Sequence, residues 1–348
     1  MKTYAILQHP GHNRVYYQQS GKLAMAELSL ILNKLGVTQE VQERELGGVR
    51  YLTFEWADSL SEQELKMISS LSFLFALYEY QRKDDSDILI PVQAASFAYL
   101  DPKISSLLKY RGKTNELFTR MMLNAALLAS DFSYDDPICL LDPVAGKGTT
   151  LYEAMIYGFH AFGIEREEKF VAESFQFVKK YMETERFKHQ ADKRPVWGKT
   201  KQDYIFMQEV SYATTKEAFK SEDQRKRWGM VHGKAQDTDR YFKGKPFHLI
   251  VGDLPYGVAH ANSIHKRVSS GSRNPSELVN SSLPAWMSTL KKGGCIALAW
   301  NAHVLSRADL GKIFTARGME VLNGPPFDQF EHMVDKAIKR DMIIAKMP

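Results

Sequence analysis

Between Ile138 and Glu165 the sequence reads ICLLDPVAGKGTTLYEAMIYGFHAFGIE: an apolar run, a glycine turn, a helix-length stretch and a second apolar run. An apolar run without alternation is what a strand covered on both faces requires, and parallel strands of that kind need a crossover helix between them. The same grammar continues downstream. EEKFVAESFQFVKKYM and RADLGKIFTARG have helical spacing, while WGMVHG, FHLIVGD, GGCIALAW and DMIIAKM read as further strands. Strands alternating with helices predict an α/β fold with a doubly wound, mostly parallel, Rossmann-like sheet covered on both faces.

The first 90 residues follow a different pattern and predict a small N-terminal α/β domain. AMAELSLILNKLG places Ala24, Leu28, Ile31 and Leu35 on one helical face and stops at Gly36. VRYLTFEW alternates like a strand, SEQELKMISSLSFLFALYEY reads as helical, and the charged QRKDDSD reads as a linker to a second domain over residues 91–348. After the loop KYRGK, TNELFTRMMLNAALLAS predicts a helix with Leu117, Met121 and Leu128 on one face.

Charge is unevenly placed. Residues 1–90 carry 9 Lys/Arg against 12 Asp/Glu, whereas residues 186–227 carry 11 against 6. The latter stretch separates the second helix from the third strand, a connection that ordinarily takes a few residues, so it is expected to be a charged insertion. It mixes Lys188, Lys193, Arg194, Lys199 and Lys201 with Phe187, Trp197, Tyr204 and Phe206. Such interleaving suits phosphates and stacked bases, and equally an insertion packing its own small cluster. No apolar run reaches the roughly 18 residues that span a bilayer, and the start lacks a signal-peptide pattern. Cys139 and Cys295 each sit in apolar surroundings, which predicts buried thiols in a reducing, cytoplasmic setting. The histidines have no metal-ligand spacing, so no metal is expected. The residues carry no signal for an oligomeric state.

In a doubly wound sheet, ligands sit where strands end in glycine turns. Here that turn is Asp142-Pro143-Val144-Ala145-Gly146-Lys147-Gly148-Thr149. A phosphate-binding G-x-x-x-x-G-K-[ST] fails: Gly148 follows Gly146–Lys147, and Leu107 replaces the glycine required upstream of Gly112–Lys113–Thr114. The dinucleotide pattern G-x-G-x-x-G fails at Leu151. What remains is an acid at the strand end, a tight G-x-G turn, and Glu165 after the second strand, placed to accept from ribose hydroxyls. That set matches S-adenosylmethionine (SAM), whose ammonium and sulfonium want an acid such as Asp142 and whose lack of phosphate needs no cationic cradle. A plain β–α turn would also contain G-x-G. Pro143, Ala145 and Thr149 complete the expected cofactor turn, and Gln236 or Asp237, after the next strand, would accept from the adenine amine.

FHLIVGD should end on the same edge, followed by Leu254, Pro255 and Tyr256. Taken together, LDPVAGKGTTLYEA, GIERE and DLPYG resemble the motifs of class I SAM-dependent methyltransferases that modify exocyclic amines of nucleic-acid bases. DLPYG most resembles the tRNA guanosine-N2 methyltransferases associated with an RNA-binding THUMP domain. KYRGKTNELFTRMMLNAALL and FEHMVDKAIKRDMIIAKM resemble other parts of that family, so the likeness covers roughly residues 105–348. The THUMP part looks absent or reduced, and Leu254 stands where the family often has proline.

The resemblance implies an RNA substrate, tRNA or rRNA, with guanine N2 as the acceptor. Attack by that amine needs its nitrogen to gain positive charge. The Asp253 carboxylate and the Leu254 carbonyl would accept its two N–H bonds, Pro255 would stiffen the turn, and Tyr256 would stack the flipped base. His265, Lys266, Arg267 and Arg273 in the following loop would contact phosphates. Amino methylation of adenine or cytosine in DNA uses the same motif, and a non-catalytic SAM- or RNA-binding protein is the third alternative.

Overall fold

The computed structural model describes residues 1–10, 14–110, 112–197, 204–255 and 275–348. The chain forms two compact units, Met1–Phe97 with Asn323–Arg340, and Ala98–Leu322 with Asp341–Pro348.

In the first unit, β1 (Lys2–Gln8), β2 (Gln42–Leu46), β3 (Val49–Trp56), β4 (Leu74–Lys83) and β5 (Ser86–Val92) make a sheet ordered β2-β3-β1-β4-β5. All four neighbouring pairs are antiparallel. Helix α1 (Arg14–Lys34) buries Ala24, Leu28 and Ile31 of the predicted face and ends ahead of Gly36, with Leu35 only half-buried just beyond its end. Fully buried Glu27 on α1 accepts from the Ser72 amide at 3.1 Å and the Ser72 hydroxyl at 2.6 Å.

Two expectations fail in this unit. SEQELKMISSLSFLFALYEY is not one helix: α2 (Glu62–Ser69) is short, and the chain turns at Ser70–Phe73 into strand β4. Ser61 caps α2 in a reciprocal box with Glu64, but the Leu, Phe and Tyr side chains beyond Ser70 suit a pleated surface better than a helix. QRKDDSD is not a linker either. Asp84 and Asp85, with φ of 48° and 60°, make a two-residue turn between β4 and β5, where positive φ matches the strands' twist. The first unit therefore runs on to Phe97 rather than stopping near residue 90, and it takes in Asn323–Arg340, including β14 (His332–Met333).

The second unit contains α3 (Lys103–Leu107), α4 (Glu116–Ala129), β6 (Cys139–Asp142), α5 (Thr149–Ile156), β7 (His160–Glu165) and α6 (Glu168–Thr184). There follow β8 (Lys188–Trp197), β9 (Ile205–Ala213), α7 (Lys216–Lys220), β10 (Lys226–His232), α8 (Thr238–Tyr241) and β11 (Phe247–Asp253). The remainder is α9 (Pro275–Thr289), β12 (Leu290–Asn301), α10 (Arg307–Thr315), β13 (Glu320–Val321) and β15 (Lys339–Lys346), whose first two residues belong to the first unit. The sheet runs β13-β15-β12-β11-β6-β7-β10-β9-β8. The pairs β12–β11, β11–β6, β6–β7 and β7–β10 are parallel. In chain order these strands lie 3-2-1-4-5 across the sheet, the doubly wound arrangement, and the order reverses between β6 and β11.

One face, carrying Leu141, Phe162, Ile250 and Leu298, packs on Val279, Leu283 and Trp286 of α9 and Phe314 of α10. Trp286 and Trp300 are fully buried, each removing on the order of 150–250 Å² from water. Cys139 and Cys295 are buried and unbridged, and burial pushes the Cys139 thiol up to about 12. The insertion after α6 is a hairpin: β8 and β9 pair antiparallel and extend the sheet beyond β10. Among the described residues no helix is long and apolar enough to cross a membrane.

Gly163 of β7 faces α5. A Cβ there would stand 2.7 Å from the Ala145 Cβ and 2.9 Å from Leu151 Cδ1. Gly163→Ala should therefore cost about 1–3 kcal/mol by overpacking, read as a lower urea midpoint with the slope unchanged. A variant of wild-type stability would mean that the turn does not pack as tightly as these distances require.

Candidate active site

Strand β6 delivers Asp142 to the carboxyl edge, and the chain turns at once. Gly146 and Gly148 have φ of 53° and 88°, a region that suits glycine, and Gly148 then begins α5. The turn is laced to its neighbours. The Ala145 amide donates to the Ile164 carbonyl at 3.0 Å, and the Gly146 amide donates to Glu165 Oε2 at 2.8 Å. Asp142 Oδ1 accepts from the Val144 amide at 3.0 Å.

On the other side of the switch point, β11 ends in Asp253. Leu254 is buried, its amide donating to the Ala299 carbonyl at 2.8 Å, while Pro255 is exposed. A cleft of about 480 Å³ lies between these strand ends, within the range of small-molecule sites. Its wall includes Asp142, Val144, Ala145, Gly146, Lys147, Thr149 and Thr150 from the turn, and Asp253, Leu254 and Pro255 from the end of β11. The structure thus gathers most of the expected turn and the expected acid around one space. Pro143, Gly148, Glu165, Gln236 and Asp237 are not part of that wall. Both Glu165 oxygens accept from backbone amides, of Gly146 and Glu167, so the side chain braces the turn. Gln236 donates to Ser281 Oγ at 3.2 Å, and Asp237 pairs with Arg240 at 2.8 Å. Tyr256, His265, Lys266, Arg267 and Arg273 lie outside the described residues, as do Lys199 and Lys201.

The sequence reading gave no site role to the wall residues Tyr110, Thr114, Thr119, Met122, Thr150 and Phe170, and named Lys147 only as part of the turn. Thr114 Oγ1 donates to Asp253 Oδ2 at 2.5 Å, and the Tyr110 hydroxyl lies 2.9 Å from Thr149 Oγ1. Thr114 immediately precedes Asn115, which caps α4 by accepting from the Leu117 and Phe118 amides. The helix start therefore sets where the Thr114 hydroxyl points. Lys147 is neutralised by Glu173 at 2.6 Å and stands about 5 Å from the ring centroids of Tyr110 and Phe170. The net field of the cleft is consequently acidic.

Burial, above all, raises the Asp142 carboxyl to about 7, assisted by the negative charges of Asp253 and Glu165 and opposed by bonds from Thr150 and Val144. Glu165 is raised by the same burial. Such a pair of acids, dehydrated and close, favours a cation between them. Among the described residues no group of His, Cys, Asp and Glu side chains converges to hold a metal ion.

No protein-family model matches the chain, and no curated protein matches it. Solved structures similar to it include TrmN from Thermus thermophilus, 11% identical over all of both chains, with a TM-score of 0.45. An rRNA methylase from Streptococcus thermophilus is 9% identical over 68% of this chain and 99% of its own, with a TM-score of 0.35. The rRNA methyltransferase AviRa from Streptomyces viridochromogenes is 13% identical over 71% of this chain and 95% of its own, with a TM-score of 0.41.

The raised Asp142 has a measurable consequence. Unfolded, it ionises near its ordinary 3.8; folded, it keeps its proton to about 7. Its contribution to stability is fully present below about 4 and is lost as pH rises to about 7. Asp142→Asn should stabilise the protein by on the order of 2–4 kcal/mol at pH 8 and by little at pH 4. Equal gains at both pH values in denaturant titrations would remove this account.

Proposed function

We propose that this chain is a SAM-dependent methyltransferase acting on an exocyclic base amine of RNA, most specifically guanine N2 of tRNA or rRNA. The observation that carries the reading is the pair of carboxylates, Asp142 and Asp253, ending adjacent parallel strands and facing one cleft across the switch point. One acid suits a cationic cofactor and the other suits an amine that becomes cationic.

In this reading SAM supplies an electrophilic methyl group when bound. Asp142 meets its positively charged methionine end, and the glycine turn lets backbone approach it. Glu165 holds the Gly146 amide in place and retains lone pairs for ribose hydroxyls. Gln236 and Asp237 follow β10, next in the sheet, where the adenine would lie.

Asp253 accepts an N–H bond from the target amine. That bond strengthens as the nitrogen loses conjugation and gains charge, which is the condition for accelerating the step. Thr114 donates to the other carboxylate oxygen and so keeps Asp253 oriented. Leu254 is anchored through its amide, leaving its carbonyl as the second acceptor for the amine. Tyr256 is the proposed stacking platform, worth about 1–3 kcal/mol to a flipped base.

Calorimetric titration should show SAM binding that strengthens as pH rises through about 7, because the cation favours ionised Asp142. Binding should be lost in Asp142→Ala. Asp253→Ala should keep SAM affinity within about threefold while lowering methyl transfer by at least about 100-fold, the scale of a lost electrostatic stabiliser. Labelled SAM incubated with separate tRNA, rRNA and DNA pools should place label in N2-methylguanosine of RNA. Label in a DNA base, or no SAM binding by the wild-type protein, would overturn the proposal.

A further inference from the structure

A second cavity, of about 380 Å³, opens at the opposite edge of the same sheet, where β6, β7 and β11 begin. Cys139, His160 and Phe247, the first residues of those strands, line it. The six residues of β7 separate the two edges by roughly 16–20 Å, so this space is distinct from the cleft. It has an aromatic side and a cationic side.

Phe162, Phe242 and Phe247 form the aromatic side, their ring centroids 4.9–6.2 Å apart in edge-to-face contacts. Pro195 and Val196 join the wall beside a register shift in the β8–β9 ladder. Such a bulge takes residues out of strict pairing and re-aims them.

The cations are Arg194 of β8, Arg227 of β10 and Lys243 after α8. Two neighbouring guanidiniums would repel, and Glu209 of β9 holds them together. Arg194 Nε donates to its Oε2 at 2.7 Å and Arg227 Nε to its Oε1 at 2.6 Å. The glutamate side chain is 8% exposed and spent on this pair, while the arginine side chains remain 46% and 45% exposed. Each guanidinium keeps N–H donors beyond those used on Glu209. No acidic side chain belongs to the described wall, and burial lowers His160 to about 4, leaving it neutral at pH 7.

We propose that this cavity is a second ligand site, for a nucleoside monophosphate, with the base against the phenylalanine side and the phosphate on Arg194, Arg227 and Lys243. Guanidinium forks match phosphate geometry, and the volume falls within the roughly 300–1,000 Å³ of small-molecule sites. The monophosphate unit has two sources, a free nucleotide or one residue of an RNA chain. The assignment stands independently of methyl transfer at the other edge.

The test is calorimetry on the full chain with AMP, GMP, CMP and UMP, with short RNA oligonucleotides, and with the bare nucleosides and inorganic phosphate. At least one mononucleotide should bind, and the nucleosides and phosphate, each presenting half the ligand, should bind at least about tenfold more weakly. Arg194→Gln and Arg227→Gln should each weaken binding about tenfold. Lys243→Ala, which leaves the Glu209 pair intact, should weaken it severalfold without altering the melting temperature. Binding of oligonucleotides alone, with the same sensitivity to these substitutions, would identify RNA as the source. Asp142→Ala should leave this binding unchanged, so failure of the cofactor reading is separately visible. Absence of binding by every nucleotide and oligonucleotide, or affinity unmoved by all three substitutions, would overturn the proposal.

Discussion

Strands β6 and β11 are neighbours in space yet lead in opposite directions, one toward β7 and β10, the other toward β12. Their parallel pairing, Leu249 with Leu140 and Ile250 with Leu141, brings Asp142 and Asp253 out at the same edge. The succeeding strands lie to opposite sides, and a cleft opens where the two acids end. The dense packing of this edge then admits little variation. Gly163 has no room for a Cβ beside Ala145, and a Cβ added at Gly252 would stand 3.2 Å from both Asp142 Oδ1 and Val144 Cγ2.

The same packing determines the electrostatics. Asp142 is 3% exposed, so its charge is costly until something positive arrives. Lys147 is the cation nearest in sequence, but Glu173 and two aromatic rings hold it to one side. Each Glu165 oxygen accepts from a backbone amide, which stiffens the turn. The protein thus maintains an acid in an unfavourable state at the strand end, an arrangement that stability alone would not select. A charge cost retained at such a place is what the proposed cofactor site would use.

The parallel core was legible because its signals are local: apolar runs, glycine turns and helical spacing each lie within a dozen residues. Strand β7 and helices α5, α6 and α10 fall where that pattern puts them. Strand β4 was misread because LSFLFALYEY is rich in residues both states accept, and only pairing with β1 and β5 decides between them. QRKDDSD looked like a linker because a charged turn and a charged linker share composition and differ only in φ. At the site, Asp142 and Asp253 announced themselves by following apolar strands. Thr114 did not. It lies 139 residues from Asp253, and nothing local shows that the cap of α4 ends beside β11. The triplet Gly112–Lys113–Thr114 drew notice as a failed phosphate loop, whereas its lysine pairs with Glu116 and its threonine serves the acid.

The distribution of charge over the sheet constrains how a polyanion would approach it. The cleft is acidic, so phosphates near Asp142 and Asp253 would be repelled, and their attraction must come from elsewhere. The β8–β9–β10 side provides it among the described residues. Lys188 and Arg225 stand over Phe219, Lys193 over Phe206, and Arg227 over Phe162, each within 6 Å of the ring centroid. Rings beneath cations reduce the freedom of long side chains and present stacking surface alongside charge. An insertion that merely filled space would bury its aromatics and leave its cations to water. Here the hairpin lengthens the sheet and holds cations over rings, so the chain separates the edge that seeks positive charge from the flank that seeks negative charge. For the proposed RNA substrate, that separation would have a mechanical meaning: backbone phosphates would lie at the flank while a single base, the part without charge, would enter the acidic cleft.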